Sequence, residues 1–196
     1  MKHAQEPLMI LSALAWFPSH ALARPSVTEY TNKANWQAAV NSNFTTVDLT
    51  GFPQGTFVTS QYSDLGVTFT DGNDSIYHTA SFIDDGVGLE GNNIIHLSFS
   101  VPMNWIAIDF PGMANIKLLN QGNLIYTSND FGSQLLGNFA GLVSTAPFDG
   151  AIPYKSSGDD VSIDNLFFGP PIPVPGSLAL LGIAALMPTR RKRRCA

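Results

Sequence analysis

The chain has 196 residues and one cysteine, with 44% hydrophobic and 13% charged residues and a formal net charge of −5. This length accommodates one domain with a substantial core that needs no disulfide. Because Cys195 lies at the extreme C-terminus, the body of the chain excludes disulfides, cysteine nucleophiles and cysteine-based metal sites.

The charge is distributed unevenly along the chain. Residues 24–189 contain four cations against fourteen acidic residues, a balance of −10, whereas five further cations lie together in residues 190–194. An acidic body disfavours nucleic acids and anionic lipids as partners. It is typical of a soluble exported protein, and it is also compatible with binding of divalent cations.

The first 23 residues have the three parts of a secretory signal peptide. Lys2 and His3 give a weakly positive start, residues 8–17 form an apolar core, and Ala21-Leu22-Ala23 has the small-x-small form of a signal-peptidase site. We therefore expect Ala21 and Ala23 to direct cleavage after residue 23. The alternative is an uncleaved N-terminal anchor.

The body, residues 24–169, begins with a helical pattern. Asn32 is a potential N-cap, and Trp36 and Val40 fall on one face, which predicts a short helix over residues 32–40. Short β-rich runs separated by Gly, Asn, Asp and Pro follow it. The predicted strands are residues 44–49, 56–60, 66–70, 75–83, 94–101, 105–110, 116–119, 124–128, 139–144 and 161–168.

Hydrophobic and polar residues alternate within several of these runs, most clearly in residues 95–101 and 106–110. Such alternation predicts strands with one buried face. About ten short strands and one short helix predict an all-β fold, namely a two-sheet antiparallel jelly-roll-like β-sandwich, with an immunoglobulin-like sandwich as the alternative. Gly122-Asn123 predicts a hairpin turn between two of the strands.

Three loops are rich in the oxygen ligands that calcium requires. They are residues 71–74, 84–86 and 159–160. In the first loop, Asp71, Asn73 and Asp74 are spaced like the start of a calcium loop, but the chain then enters a predicted strand. The competing interpretation is that these residues are turn formers that bond their own backbone. One structural Ca²⁺ is therefore the only cofactor that the sequence suggests.

The body offers few residues for catalysis. Its two histidines, His78 and His96, are not spaced as a metal pair, and neither a nucleophile elbow nor a phosphate-binding glycine loop is present. A pair of glycosidase carboxylates needs a shared cleft, which the sequence alone does not define. We expect no catalytic residues and a protein that is not an enzyme, with a hydrolase as the competing possibility.

Carbohydrate binding would require exposed aromatic side chains, because sugar rings stack on flat π surfaces. The candidates are Tyr62, Tyr77, Trp105, Tyr126 and Tyr154. Tyr77 and Tyr126 have polar neighbours and could expose one ring face, whereas Trp105 begins a core strand and is expected to be packed. The competing interpretation for each is a half-buried aromatic of the sandwich.

The C-terminal segment combines a proline-bounded turn, an apolar run and a basic cluster. The turn contains Pro173, Val174, Pro175 and Gly176, and the basic cluster is Arg190, Arg191, Lys192, Arg193 and Arg194. Residues 178–187 form the apolar run, and the cations after it are expected to stay on the cytoplasmic side of a membrane. The Pro-rich residues before it, 169–173, predict a stiff spacer.

This tail resembles the PEP-CTERM sorting signal, which an exosortase handles on exported proteins of Gram-negative bacteria. The resemblance covers residues 173–194, and Val174 stands where the family usually has glutamate. The apolar run would span only about 15 Å as a helix, against a bilayer core of about 30 Å. The alternatives are an ordinary tail anchor and an apolar tail without processing.

The body is similar to the sandwich domains that often precede PEP-CTERM tails, which are themselves similar to carbohydrate-binding-module jelly rolls. The similar segments are residues 36–40, 47–52, 61–62, 65–69 and 163–169. This resemblance implies a calcium-binding aspartate on the last strand near the first, for which Asp164 and Asp48 are the candidates. The hydrophobic phase of the last predicted strand would put Asn165 on its buried face unless a bulge intervenes.

Together these features predict a non-catalytic exported protein of the cell surface or extracellular matrix of a Gram-negative bacterium. The expected partners are signal peptidase and exosortase during export, the inner membrane through the C-terminal helix, and polysaccharide, but not nucleic acid. The alternative is a carbohydrate-binding module or a hydrolase that acts on exopolysaccharide.

Overall fold

A computed structural model of the chain describes residues 25–70, 76–79, 88–133 and 137–170. Within these residues the chain forms one α-helix, one 3-10 helix and twelve strands. The helices are α1 (Lys33–Ala39) and a 3-10 turn (Ser63–Leu65). The strands are β1 (Val27–Tyr30), β2 (Thr45–Asp48), β3 (Val67–Thr70), β4 (Tyr77–Thr79), β5 (Gly88–Gly91), β6 (His96–Phe110), β7 (Met113–Asn120), β8 (Asn123–Thr127), β9 (Phe131–Gly132), β10 (Asn138–Tyr154), β11 (Val161–Ile163) and β12 (Asn165–Gly169).

Helix α1 forms where the sequence predicts it. The side chain of its N-cap, Asn32, accepts a hydrogen bond from the backbone N–H of Asn35 at 3.0 Å. Trp36 points into the protein and is 0% exposed. The helix ends just before Asn41 and Ser42, whose φ angles of 51° and 53° turn the backbone out of the helical conformation.

The two long strands, β6 and β10, build both layers of an antiparallel β-sandwich. The second half of β6 and the first half of β10 pair with each other, between β12 and β2 on one side and β1 on the other. The first half of β6 pairs with β3, and the second half of β10 pairs with β7, which in turn pairs with β8 and β9. Three further strands form a separate sheet in the order β11-β5-β4.

The main hydrophobic core lies between the two layers. Phe99 of β6 and Phe168 of β12 come from different layers, and their ring centroids are 5.0 Å apart. A second, smaller core lies on the other side of the β12-β6-β10 layer, where α1 packs Trp36 against Phe139 and Phe167. Both faces of this layer are therefore covered, one by the second layer and one by the helix.

The predicted all-β, two-sheet antiparallel sandwich with one short N-terminal helix is confirmed. The predicted alternation is also confirmed along β6, where Leu97 and Phe99 are buried and Ser98 and Ser100 are exposed. In residues 105–110 both faces are largely buried, because α1 covers the face that the alternation assigned to solvent.

Several predicted strand boundaries are wrong. The predicted strands 94–101 and 105–110 are replaced by one strand, β6, which begins at His96, and the prediction of 139–144 covers only the first half of β10. Pro102 does not interrupt β6, because it lies between the part of the strand that pairs with β3 and the part that pairs with β10 and β12. At this position the backbone nitrogen does not have to donate a hydrogen bond to a neighbouring strand. Irregular pairing between Val143 and Phe148 similarly carries β10 from one layer to the other.

Residues 161–168, predicted as one strand, are divided at Asp164 into β11 and β12, which belong to different sheets. Residues 56–60 form only an isolated bridge, Phe57 to Tyr77, instead of a strand. Strands β1 and β5 were not predicted, because their short runs contain Glu and Gly, which are weak strand signals.

The predicted hairpin turn is displaced by one residue. Asn120 pairs with Asn123, so the two turn residues are Gln121 and Gly122, not Gly122-Asn123. Their φ angles of 51° and 75° are those of a type I′ turn, which matches the twist of the flanking strands.

The expected signal peptide, residues 1–23, and the expected sorting tail lie outside the described residues, as do most of the Pro-rich spacer and residues 71–75 and 80–87. Among the residues that the structure describes, no helix is long and apolar enough to cross a membrane.

Candidate ligand cleft beside helix α1

A cleft of about 510 Å³ opens where the start of α1 meets the end of β6 and the start of β10. Its volume lies in the range of about 300–1,000 Å³ that small-molecule sites occupy. The polar part of its wall is formed by Thr31, Asn32, Lys33, Asp109, Ser133 and Asn138. Phe139 contributes an apolar wall.

An ion pair between Lys33 and Asp109 dominates the electrostatics of the cleft. The Lys33 ammonium lies 2.7 Å from the Asp109 carboxylate, and the side chains are 41% and 19% exposed. The same ammonium lies 4.3 Å from the centroid of the Phe167 ring, within the range of a cation–π contact. The two opposite charges are therefore neutralised within the cleft while both polar groups stay accessible from it.

Local sequence explains why these two groups meet. Lys33 is the first residue of α1, whose entry is set by the Asn32 cap. Asp109 lies on β6 between the buried Ile108 and Phe110, so strand alternation turns its side chain away from the main core and toward the helix. The two charged groups of the cleft are thus held by a helix and a strand, and they lie 76 residues apart in sequence.

Strand register places further polar residues beside Asp109. Asn165 of β12 pairs with Asp109 on one side and with Asp48 of β2 on the other, and Phe139 of β10 lies across from Asp109. Asp48, Asn165 and Asp109 thus form a transverse polar row on the helix side of this layer. We refer to these three residues as the polar row.

The register places Asn165, not Asp164, opposite Asp48. The Asp48 side chain accepts a hydrogen bond from the backbone N–H of Thr50 at 2.9 Å, which is the geometry of a turn former. Asp164 is buried at the break between β11 and β12, and its backbone N–H donates to the carbonyl of Asp109 at 2.8 Å. Asn165, which is half-exposed, is the middle residue of the polar row. The sequence had required a bulge to keep Asn165 off the buried face, and the break between β11 and β12 at Asp164 takes the place of that bulge.

Of the remaining calcium candidates, the structure describes only Asp159 and Asp160. Asp71, Asn73, Asp74 and residues 84–86 lie outside the described residues, and Asp159 and Asp160 are exposed in the loop before β11. Among the described residues, no group of three or more His, Cys, Asp or Glu side chains could hold a metal ion. A structural calcium therefore stays a prediction.

The two body histidines lie on different sheets. His78 of β4 is fully buried, its ring centroid is 5.2 Å from that of Phe52, and neither ring nitrogen has a hydrogen-bond partner among the described residues. Burial lowers the pKa of His78, so it favours the neutral imidazole. His96 is half-buried on β6, on the face opposite Leu97, as the alternation predicted.

Most of the aromatic residues that were candidates for stacking on sugar are buried or hydrogen-bonded within the protein. Tyr62 and Trp105 are buried, and the Trp105 indole N–H donates to the carbonyl of Asn43 at 2.9 Å. The phenols of Tyr77 and Tyr126 donate to Glu90 and Glu29 at 3.0 and 2.8 Å. The predicted packing of Trp105 is confirmed.

Tyr154 is half-buried on β10, and the Lys117 ammonium lies 4.3 Å from the centroid of its ring. Phe57 is the most exposed large hydrophobic residue among those described, at 63%, and the sequence analysis missed it. Val58, its neighbour, is 1% exposed, and neighbouring residues of an extended segment point in opposite directions.

The sequence analysis also missed Lys33 and Asp109. Asp109 was assigned to the polar side of its strand, but no motif links it to a lysine at the start of a distant helix. The residues expected to direct sorting and cleavage lie outside the described residues; they are Pro173, Val174, Pro175, Gly176, Arg190, Arg191, Lys192, Arg193, Arg194, Ala21 and Ala23.

The chain has low sequence identity to the solved structures that it resembles. Neither a protein-family model nor a curated protein matches the chain. Among solved structures, two variants of CBM29-2, a family 29 carbohydrate-binding module, match with 12% and 13% identity and TM-scores of 0.34 and 0.32. These matches cover 65% and 73% of this chain and 91% of each module. At such TM-scores the likeness identifies neither a ligand nor a site in this chain.

Proposed function

We propose that this chain is a non-catalytic exported protein of the cell surface or extracellular matrix, delivered by a PEP-CTERM-type tail. The observation that carries the proposal is the order of turn, apolar run and basic cluster in residues 173–194, directly after the sandwich. The last strand of the sandwich, β12, ends at Gly169, and Pro-rich residues follow it. The proposed sorting signal therefore follows β12 closely in the sequence.

In this proposal the two ends of the chain perform the delivery. Residues 1–23 direct export and are removed by signal peptidase. The basic cluster stays on the cytoplasmic side of the inner membrane, which holds the tail for an exosortase. The acidic body remains outside, where its net charge of −10 keeps it soluble and disfavours contact with anionic lipid.

Two features of the described residues support a non-catalytic role. General acid–base chemistry requires a titratable group within hydrogen-bond reach of the reacting atoms. His78 is buried in the three-stranded sheet, and His96 lies on the first half of β6, away from the cleft at the end of that strand. Asp109, the acidic residue of the cleft, is already engaged by the Lys33 ammonium at 2.7 Å.

The intact mass of the protein tests this function directly. The full chain is expressed in a host that has an exosortase and in the same host with the exosortase gene deleted. We expect the loss of residues 1–23 in both hosts and the loss of the tail only where the exosortase is present. An identical mass in both hosts, with the tail retained, would overturn sorting by exosortase and leave a membrane-tethered or unprocessed domain.

The cleft beside α1 favours a second candidate function, the binding of polysaccharide by the sandwich. Its lining combines a carboxylate, an ammonium, amides and hydroxyls, which suit the alternating donors and acceptors of sugar hydroxyls. Electrophoresis of the full-length protein through gels that contain a polysaccharide tests it. Retarded migration relative to a polymer-free gel is expected, and unretarded migration in every polysaccharide would contradict this function.

A further inference from the structure

We propose that the cleft beside α1 binds an uncharged sugar residue of a polysaccharide, with Lys33 and Asp109 as the paired hydrogen-bonding groups. The inference deepens the second candidate function and rests on it. It assigns the site, the charge class of the ligand and the residues that discriminate between ligands.

The ion pair selects for ligands that both donate and accept hydrogen bonds. An ammonium group has three donors, and an ionised carboxylate has several acceptor sites, so a single contact between Lys33 and Asp109 leaves both groups with unused capacity. Adjacent sugar hydroxyls can accept from the ammonium and donate to the carboxylate at the same time. Bonds of this charge-assisted kind are stronger than those between neutral groups.

The charge balance of the cleft disfavours acidic ligands. A uronate or a phosphate would have to lie close to the Asp109 carboxylate in order to reach the Lys33 ammonium, 2.7 Å away from it. The body contributes no compensating field, because residues 24–189 have a net charge of −10. A neutral sugar is repelled neither by the Asp109 carboxylate nor by the net negative charge of the body.

The two groups are held in place before any ligand arrives. Asp109 lies on β6 with β10 and β12 paired on its two sides, so its backbone is fixed. The Lys33 ammonium is restrained by both the carboxylate and the Phe167 ring. Preorganised groups of this kind give up little conformational entropy when a ligand binds.

The dimensions of the cleft fit a short stretch of a glycan. Its volume of about 510 Å³ suits a small ligand, and it is open to solvent along the exposed residues Thr31 and Ser133, so a longer chain could continue beyond it. Phe139 lies at the floor of the cleft, where its ring is 8% exposed and packs against Trp36.

A pair of lysine variants separates this site from a general effect of charge. Lys33 and Lys117 both lie 4.3 Å above an aromatic ring, but Lys117 is on β7 of the other layer. The variants are Lys33→Met, Asp109→Asn and, as the matched control, Lys117→Met. The thermal unfolding midpoint of each variant establishes that it is folded.

The test is a titration of the full-length protein, in mild detergent, followed by two-dimensional ¹H–¹⁵N NMR. The probes are the neutral oligosaccharides cellotetraose, mannotetraose and galactotetraose, and the acidic trigalacturonate. We expect saturable shifts at Thr31, Lys33, Asp109 and Phe139 with at least one neutral probe. Lys33→Met and Asp109→Asn should weaken this binding about tenfold or more, and Lys117→Met should leave it unchanged.

Each of the other outcomes contradicts a defined part of the inference. Binding of a neutral probe with shifts around Tyr154, retained in Lys33→Met, would move the site and leave the carbohydrate-binding function standing. Tighter binding of trigalacturonate would overturn the assignment of an uncharged ligand. The absence of saturable shifts with all four probes, together with unretarded migration in the polysaccharide gels, would overturn both the site and the function.

Discussion

At the scale of single residues, His78 is a titratable side chain that folding removes from water. It is fully buried, and its ring nitrogens have no hydrogen-bond partner among the described residues. Burial lowers its pKa from the ordinary value of 6.5. The unfolded chain therefore binds a proton more readily than the folded one, and folding stability should fall as the pH drops below about 6.5.

Urea unfolding at about pH 8 and about pH 5.5 tests this expectation for His78. The His78→Leu variant removes the titrating group but keeps an apolar side chain, so its midpoint should change less between the two pH values than that of the wild type. His96→Leu, at the half-buried position on β6, is the matched control for the loss of one histidine. An unchanged pH dependence in His78→Leu would assign the acid sensitivity to other groups.

At the scale of elements, the packing of α1 on its layer depends on a glycine of β10. A Cβ added at Gly141 would lie 2.5 Å from an indole carbon of Trp36, which is 0% exposed and has no room to retreat. Gly141→Ala should therefore lower the free energy of unfolding by about 1–3 kcal/mol, measured by urea unfolding. Gly150→Ala on the same strand, with its nearest contact at 3.3 Å, should cost less. A greater loss at Gly150 would contradict this account of helix packing.

A second contact between elements links the two layers at their edge. Glu29 of β1 accepts hydrogen bonds from the phenol of Tyr126 on β8 and from both the backbone N–H and the side-chain amide of Asn129, at 2.8–2.9 Å. Burial, followed by the bond to Glu29, raises the pKa of Tyr126 to about 12. Since this pKa exceeds the ordinary value of 10.0, the stabilisation is present at neutral pH and is lost as the pH rises from 10.0 toward about 12.

The loss of the hydrogen bonds to Glu29 should measurably lower the free energy of unfolding at neutral pH. Glu29→Ala should lower the free energy of unfolding by about 1–3 kcal/mol, because three donors lose a charged acceptor. Glu90→Ala is the matched control, since Glu90 accepts one bond from a phenol, that of Tyr77 at 3.0 Å. Equal losses in the two variants, measured by urea unfolding, would show that the two bonds from Asn129 add nothing to the bond from a phenol.

At the scale of the whole molecule, the proposal separates delivery from binding. In the proposed function, delivery depends on the two ends of the chain, and glycan binding depends on the cleft between α1, β6 and β10. The resemblance to the PEP-CTERM signal gives a test for delivery alone, because Val174 occupies the place of a glutamate. Val174→Glu should increase the fraction of chains that lose the tail in a host with an exosortase.

Intact mass spectrometry of the exported fraction measures that increase. Val174→Ala is the matched control, because it changes the side chain without adding a carboxylate. Equal processing of the two variants would mean that the glutamate of the family signal has no role in this tail. Position 174 is outside residues 24–169 of the sequence, so the proposed glycan binding is expected to be the same in both variants.

The amino-acid sequence by itself determined the fold class and the position of α1. Strand alternation is a local property with a period of two residues, and the cap at Asn32 acts within the next three residues, so both can be deduced from neighbouring positions. The same local character made the ends of the long strands hard to predict. The sequence predicted a strand end before Pro102 and an unbroken strand through Asp164, yet β6 continues through the first and the chain changes sheet at the second.

Only the tertiary structure decided where the cleft is and what lines it. Lys33 and Asp109 are 76 residues apart, and Asp48, Asn165 and Asp109 meet because β2, β12 and β6 are neighbours in the layer. Strand order is set by the long-range burial of both faces of the sheet, and no local pattern encodes it. Strand pairing places Asp48 and Asn165 in one row with Asp109, and the packing of α1 against the sheet brings Lys33 to Asp109, so that these two charged side chains line the cleft.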